Sequence, residues 1–220
     1  MNYISHFYFF EKPGNPWYNT GLVLPDLVAA YKRSRFDRHL KESDSHHLIQ
    51  LHEGIQSHFL ADRRFHSSEL FSQSVHHVKE ILVNAGLDKE RLRISFLAHI
   101  VFEMVLDRII LKRDHEIGTR FYENLEEVNP TILLQYVNTN ANTGEGWMDL
   151  FTNFKKHRFL FGYIINESFL YSLNRIISRV GLNISKDEEQ FFIFALNEIE
   201  EYCNSRFAEL NQLFADAKTI

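Results

Sequence analysis

The 220-residue chain contains one cysteine, four prolines and nine glycines, and each low count excludes a class of protein. Because the single thiol of Cys203 cannot form an intrachain disulfide, the chain is not a disulfide-stabilised secreted scaffold. The few prolines and glycines fall mostly at the ends of periodic segments, which is typical of helices joined by short connections. We therefore expect an all-α protein.

The chain also lacks an excess of positive charge and a long apolar run. With 24 Lys+Arg against 29 Asp+Glu, the formal charge of −5 argues against a general nucleic-acid binder. The richest apolar stretch, residues 94–111, contains several ionisable side chains, so we expect no membrane span. The first residues have neither the basic start nor the cleavage site of a signal peptide. These features predict a cytoplasmic protein without membrane or nucleic-acid partners.

Hydrophobic periodicity predicts a single all-helical bundle over residues 1–220. The segment 89–112 is apolar on most of its surface, so it should be the core helix. Ser185 and Glu188 have the spacing of a capping box. Helices are expected over about 21–34, 44–65, 67–85, 89–112, 117–127, 130–137, 147–181 with a break near Gly162, and 185–217, with a loop over 138–146.

Two of these helices carry ionisable side chains four residues apart. They form two triplets: His58, Asp62 and His66, and His99, Glu103 and Asp107. Because a helix has 3.6 residues per turn, the members of each triplet share a face. The second triplet interrupts an apolar segment, and a buried, unpaired carboxylate costs several kcal/mol or gives up its charge. Something positive should therefore lie beside these side chains.

Two kinds of positive group could fill that role. One is a divalent cation, and mixed His and carboxylate ligands suit Mn, Fe or Zn better than Mg or Ca. The other is a guanidinium group, for which Arg63 and Arg108 are candidates. A further carboxylate, Asp26, lies among apolar neighbours and could join the same site.

The order of these motifs resembles that of the bacterial acyl-carrier-protein phosphodiesterases. The matching segments are residues 1–6 (MNYISH), residues 21–26 (GLVLPD) and residues 54–58 (GIQSH), followed by Asp62 and by Glu103 with Asp107. That family is similar to a divergent branch of the HD-type metal-dependent phosphohydrolases, which are all-helical. The matching segments cover roughly the first half of the chain, so the metal site is expected within residues 1–112 and further helices over 113–220.

The resemblance implies hydrolysis of the phosphodiester that joins 4′-phosphopantetheine to a serine of holo-acyl-carrier protein. It implies a divalent metal, Mn²⁺ first, with Fe or Zn as alternatives. The expected metal ligands are Asp26, His58, Asp62, Glu103 and Asp107, and the expected catalytic residues are His6, His66 and His99.

Acyl-carrier proteins are acidic, so a net-negative enzyme needs a local basic surface to bind them. The expected partner-binding residues are Arg33, Arg35, Arg63 and Arg64. The aromatic side chains beyond residue 113 are expected in the core, and any exposed part of them could form a homodimer face.

Two other functions are compatible with the same residues. The first is an HD-like phosphohydrolase of a small nucleotide, for which the basic residues would matter less. The second is a non-catalytic helical binding protein with a decayed site, because His66 and Arg108 stand where the family pattern has Asp and His, and no His-Asp dipeptide occurs. Salt dependence of the rate separates the first alternative from the carrier-protein substrate, and metal content tests the second.

Overall fold

The computed structural model describes residues 1–31, 34–36, 45–141, 143–144 and 146–215. Over those ranges the chain forms helices and no strand, so the expected all-α class is confirmed. The α-helices are α1 (Tyr3–Phe10), α2 (Pro16–Gly21), α3 (Leu24–Ala30), α4 (His46–His66), α5 (Glu69–Asn84), α6 (Ile94–Arg113), α7 (His115–Glu127), α8 (Pro130–Ala141), α9 (Gly146–His157), α10 (Asn166–Ile177), α11 (Glu189–Ser205) and α12 (Phe207–Ala215). Short 3₁₀ helices cover Phe159–Ile164 and Ser178–Val180.

The chain falls into two compact units. The first comprises Met1–Arg63 and Asp114–Phe159, and the second comprises Arg64–Arg113 and Leu160–Ile220. Each unit joins two segments that are far apart in sequence, so composition along the chain marks no boundary between them. The single domain expected over residues 1–220 stays a prediction. Among the described helices, none is long and apolar enough to cross a bilayer.

In the first unit, α2 and α4 cross where two glycines meet. A Cβ atom added at Gly54 would lie 2.1 Å from the Tyr18 carbonyl oxygen and 2.9 Å from the Cα of Gly21. Only residues without a side chain allow this approach, which packs the start of the chain against the helix that carries His58. The Tyr18 hydroxyl also lies 2.9 Å from Ser57 Oγ, next to the crossing.

In the second unit, α6 is the core helix, as the sequence predicts. It packs against α5, α10 and α11, and its side chains are buried on most faces. The buried guanidinium group of Arg108 donates to the Tyr163 carbonyl, to Asn166 Oδ1 and to Glu200 Oε2, each at 2.7 Å. Each of the three nitrogens of this buried guanidinium therefore donates a hydrogen bond.

The start and the end of α5 agree with the prediction over residues 67–85. Ser68 is the N-cap of α5, and its hydroxyl accepts from the Phe71 amide at 3.1 Å. After α5 the chain turns through Gly86, whose φ of 92° is favourable only for glycine.

The helix expected first in the chain, over residues 21–34, is present only over Leu24–Ala30. Two helices, α1 and α2, precede that segment, and α3 ends at Ala30 because Tyr31 is extended. Pro16 and Pro25 lie in the first turns of α2 and α3, where proline is tolerated, whereas Pro13 lies in the turn between α1 and α2.

In the second half, the break expected near Gly162 is confirmed, because a 3₁₀ helix over Phe159–Ile164 separates α9 from α10. Two other boundaries differ. The loop expected from residue 138 begins later, because α8 continues to Ala141. The helix expected over 185–217 divides into α11 and α12, and α11 begins only at Glu189. Ser185 and Glu188 do bond, at 2.7 Å, but within the preceding turn.

Candidate metal centre

Three helices of the first unit place ionisable side chains together. His6 lies on α1 and is fully buried, Asp26 lies in the first turn of α3, and His58 and Asp62 are one turn apart on α4. One ligand-type atom from each of His6, Asp26 and His58 lies within 4.8 Å of the other two. The expected convergence of Asp26, His58 and Asp62 is therefore seen in the structure, with His6 as a fourth member.

The two carboxylates face the same nitrogen of His58. Its Nε2 atom lies 3.6 Å from Asp62 Oδ2 and 3.9 Å from Asp26 Oδ1. Both separations exceed an N–H···O hydrogen bond of about 2.7–3.2 Å. The imidazole nitrogen therefore approaches two carboxylate oxygens without donating to either.

The other nitrogen of His58 determines the state of the ring. Nδ1 lies 2.9 Å from the Leu22 carbonyl oxygen, to which an Nδ1–H group donates. Burial, followed by the proximity of His6, holds the pKa of His58 well below its usual value. A neutral ring with its proton on Nδ1 presents a lone pair at Nε2, which is the form that binds a metal ion.

Asp62 has contacts through both of its oxygens. Oδ1 lies 2.8 Å from the amino nitrogen of Met1 and 3.1 Å from His6 Nε2, whereas Oδ2 is the atom that faces His58. Burial alone would raise the pKa of Asp62, but the hydrogen bond from His6 and the nearby positive charges lower it well below its usual value. Asp62 is therefore a carboxylate at neutral pH.

Glu103, expected with Asp26 and Asp62, belongs to a different group of side chains. In the second unit, its Oε1 atom lies 2.8 Å from His66 Nε2 and 3.0 Å from His99 Nε2. Asp107 is completely buried, as its apolar neighbours predict, and belongs to neither group of candidate ligands.

The arginines expected to bind the partner also belong to both compact units. Arg35 and Arg63 are exposed in the first unit, Arg64 is half-buried in the second, and Arg33 lies outside the described residues. Arg108 is committed to Tyr163, Asn166 and Glu200 in its own unit. This interaction accounts for the buried guanidinium without a carboxylate of the candidate metal centre.

Two groups that orient the candidate ligands were not predicted from the sequence. The carbonyl of Leu22 orients His58, and the ring of Phe71 packs against both His66 and His99. A backbone carbonyl leaves no signal in the residue type at its position. Phe71 follows the Ser68 cap closely, yet nothing in its spacing separates it from other apolar positions on α5.

No protein-family profile, curated protein or solved structure matches this chain.

Proposed function

We propose that the protein is a metal-dependent phosphodiester hydrolase whose metal is held by His6, Asp26, His58 and Asp62. The observation that carries the proposal is the position of His58 Nε2, 3.6 and 3.9 Å from two carboxylate oxygens, with Nδ1 bonded to the Leu22 carbonyl. A lone pair that faces two anionic oxygens in a buried place is repelled by them unless a cation lies among the three atoms.

The separations support a cation of that kind. Ligands about 2.0–2.2 Å from a metal lie about 2.8–3.6 Å from each other when they occupy neighbouring positions of an octahedral or tetrahedral centre. The distances around His58 Nε2 are within a few tenths of an ångström of that range. Two carboxylates with two imidazoles form a mixed oxygen and nitrogen set, which suits Mn, Fe or Zn.

Arg108 does not supply the compensating charge, because its guanidinium is bonded elsewhere in its own unit. The Met1 amino nitrogen does approach Asp62, but through Oδ1 and not through the oxygen that faces His58. Neither contact places a positive group between His58 Nε2 and its two carboxylate neighbours.

A divalent cation, when bound, would act as a Lewis acid on a phosphoryl oxygen and would lower the pKa of a bound water toward about 7. Residues of the chain would orient the ligands and handle protons. The Leu22 carbonyl fixes the tautomer of His58, and a ring so oriented binds a metal more tightly. His6 Nε2 lies 3.1 Å from Asp62 Oδ1, so this pair could hold or move a proton beside the phosphoryl group of the substrate.

The substrate we propose is holo-acyl-carrier protein, hydrolysed at the phosphodiester that joins phosphopantetheine to serine. Support comes from the motifs MNYISH, GLVLPD and GIQSH, which contribute His6, Asp26 and His58, and from the resemblance in their order. An HD-like arrangement of helices and a location in the cytoplasm belong to the same proposal. Exposed Arg35 and Arg63 would attract the acidic carrier protein.

The test is an assay of the full chain with Mn²⁺ on a general phosphodiester and on holo-acyl-carrier protein. We expect hydrolysis that chelator abolishes, that Asp62→Asn removes, and that Asp149→Asn leaves unchanged. Asp149 is a matched control because it is an exposed aspartate of the same unit. Equal hydrolysis by Asp62→Asn and the parent, or none by the metal-loaded parent on either substrate, would reject the proposal.

A further inference from the structure

Three residues of the second unit bring ligand-type atoms together. Nε2 of His66 and Nε2 of His99 lie 2.8 Å and 3.0 Å from the same atom, Oε1 of Glu103. We propose that His66, His99 and Glu103 form a second divalent-metal site, selective for zinc or ferrous iron, which the second unit builds from its own residues.

The local structure holds the three side chains in place. His99 and Glu103 are four residues apart on α6, so they share one face of that helix, and His66 is the last residue of α4. The ring of Phe71 packs edge-on against both imidazoles, with centroid distances of 4.8 Å to His66 and 4.9 Å to His99. Because packing restrains both rings, little conformational entropy remains to be lost when they bind an ion.

The donor set and its spacing fit a metal. Ligands in neighbouring positions of an octahedral centre with bonds of about 2.1 Å lie about 3.0 Å apart. The two distances to Glu103 Oε1 match that value. Two imidazoles and one carboxylate are the ligands of many zinc hydrolases and of non-haem ferrous centres, both of which keep positions open for water or substrate.

Exposure provides an entry path for an ion. The side chains of His66 and His99 are 34% and 42% exposed, whereas that of Glu103 is 17% exposed.

Another group of two histidines and one glutamate in the same unit does not bring its ligand atoms to one point. His76 and His77 flank Glu80 on α5, but they approach different oxygens of that carboxylate, at 3.3 Å and 3.6 Å. All three of these side chains are at least 45% exposed. Their ligand atoms do not converge, so this trio provides a matched control.

The test is titration of metal-free full-length protein with Zn²⁺ and, separately, with Co²⁺, whose visible absorption reports ligand geometry. The parent should bind two equivalents, and His99→Asn and His66→Asn should each lose one equivalent with its cobalt absorption. His76→Asn should bind as the parent does. Asp26→Asn, which alters only the first unit, should retain the equivalent that His99→Asn loses.

Binding by both His99→Asn and His66→Asn at the parent stoichiometry would overturn the proposal, as would loss of both equivalents in Asp26→Asn. Circular dichroism of each variant verifies that the helices persist, and the two histidine substitutions act from different helices, so one of them reports even if the other unfolds. If Asp26→Asn loses nothing while His99→Asn loses one equivalent, the second site stands and the metal site of the proposed function fails.

Discussion

The imidazole rings of His6 and His58 are stacked, with centroids 4.0 Å apart and planes inclined by 23°. Both rings are buried, so a positive charge on one disfavours a positive charge on the other. Burial, and after it the proximity of His6, therefore lower the pKa of His58 and keep it in the neutral form in which its Nε2 can bind a metal ion. This relationship joins α1 to α4 and explains why a histidine near the start of the chain belongs to the candidate metal centre.

His58→Gln should weaken Mn²⁺ binding by at least about tenfold, because the amide removes the lone pair that faces Asp26 and Asp62. Isothermal titration of metal-free protein measures the change. His52→Gln, on the same helix but bonded to Gln56, is the matched control and should bind as the parent does. An unchanged affinity in His58→Gln, with helicity intact, would contradict the assignment of this residue as a ligand.

Gly54→Ala should destabilise the protein by at least about 3 kcal/mol, because the new methyl group collides with backbone atoms of α2. Gly86→Ala meets open space and carries only the cost of a positive φ, about 1 kcal/mol. Denaturant unfolding compares the two variants. Gly54→Ala should also weaken metal binding, since α2 ends beside the Leu22 carbonyl that orients His58. Equal stability of the two variants would show that the helices separate without cost.

Glu200→Gln should destabilise the protein by about 3 kcal/mol at neutral pH, because it leaves the buried guanidinium of Arg108 without its ionic partner. Burial would raise the pKa of Glu200, but Lys112 and Arg108 lower it below its usual value of about 4.3. The ionic contribution is therefore complete above that usual value and is lost as the pH falls through the lowered pKa of the folded state.

The difference in unfolding free energy between the parent and Glu200→Gln should accordingly shrink as the pH falls below about 4. Denaturant titrations at several pH values measure it. Glu198→Gln, an exposed position on the same helix, should follow the parent at every pH. A difference that stays constant into acid would mean that Glu200 is not ionised against Arg108.

Arg35→Glu and Arg63→Glu should raise the KM for holo-acyl-carrier protein at low salt and leave the kcat unchanged. The reason is that charge reversal on an exposed surface slows encounter with an acidic partner. The KM for a small phosphodiester should not change, which makes that substrate the internal control. Parallel loss on both substrates, or a rate for the protein substrate that is independent of salt, would favour the small-nucleotide alternative.

Sequence periodicity predicts the helical class and most of the helices, because strong local signals such as the Ser68 cap and Gly86 determine where a helix begins or ends. It fails at the start of the chain. There α1 is apolar nearly all round and α2 is short, so neither presents the polar and apolar faces that a periodicity argument needs.

The candidate site was predicted only in part, because spacing along one helix does not specify which residues of other helices lie beside it. Spacing of four residues places His58 and Asp62 on one face, whereas no spacing along the chain brings His6 and Asp26, both expected site residues, next to His58, and only the fold does so. The same spacing places His99, Glu103 and Asp107 on one face of α6, but which neighbours each of them meets depends on tertiary packing. The division of these ligands between two groups therefore cannot be read from periodicity along either helix.

A metal centre at His58 and Asp62 is tested by elemental analysis of the parent, Asp62→Asn and Asp149→Asn, each purified without added metal or chelator and then again after incubation with Mn²⁺. We expect Mn, Fe or Zn in the parent and in Asp149→Asn, and about one equivalent less in Asp62→Asn with helicity unchanged. Metal at the same level in all three proteins, or in none of them after Mn²⁺ loading, would contradict a metal centre at His58 and Asp62 and favour a non-catalytic helical binding protein.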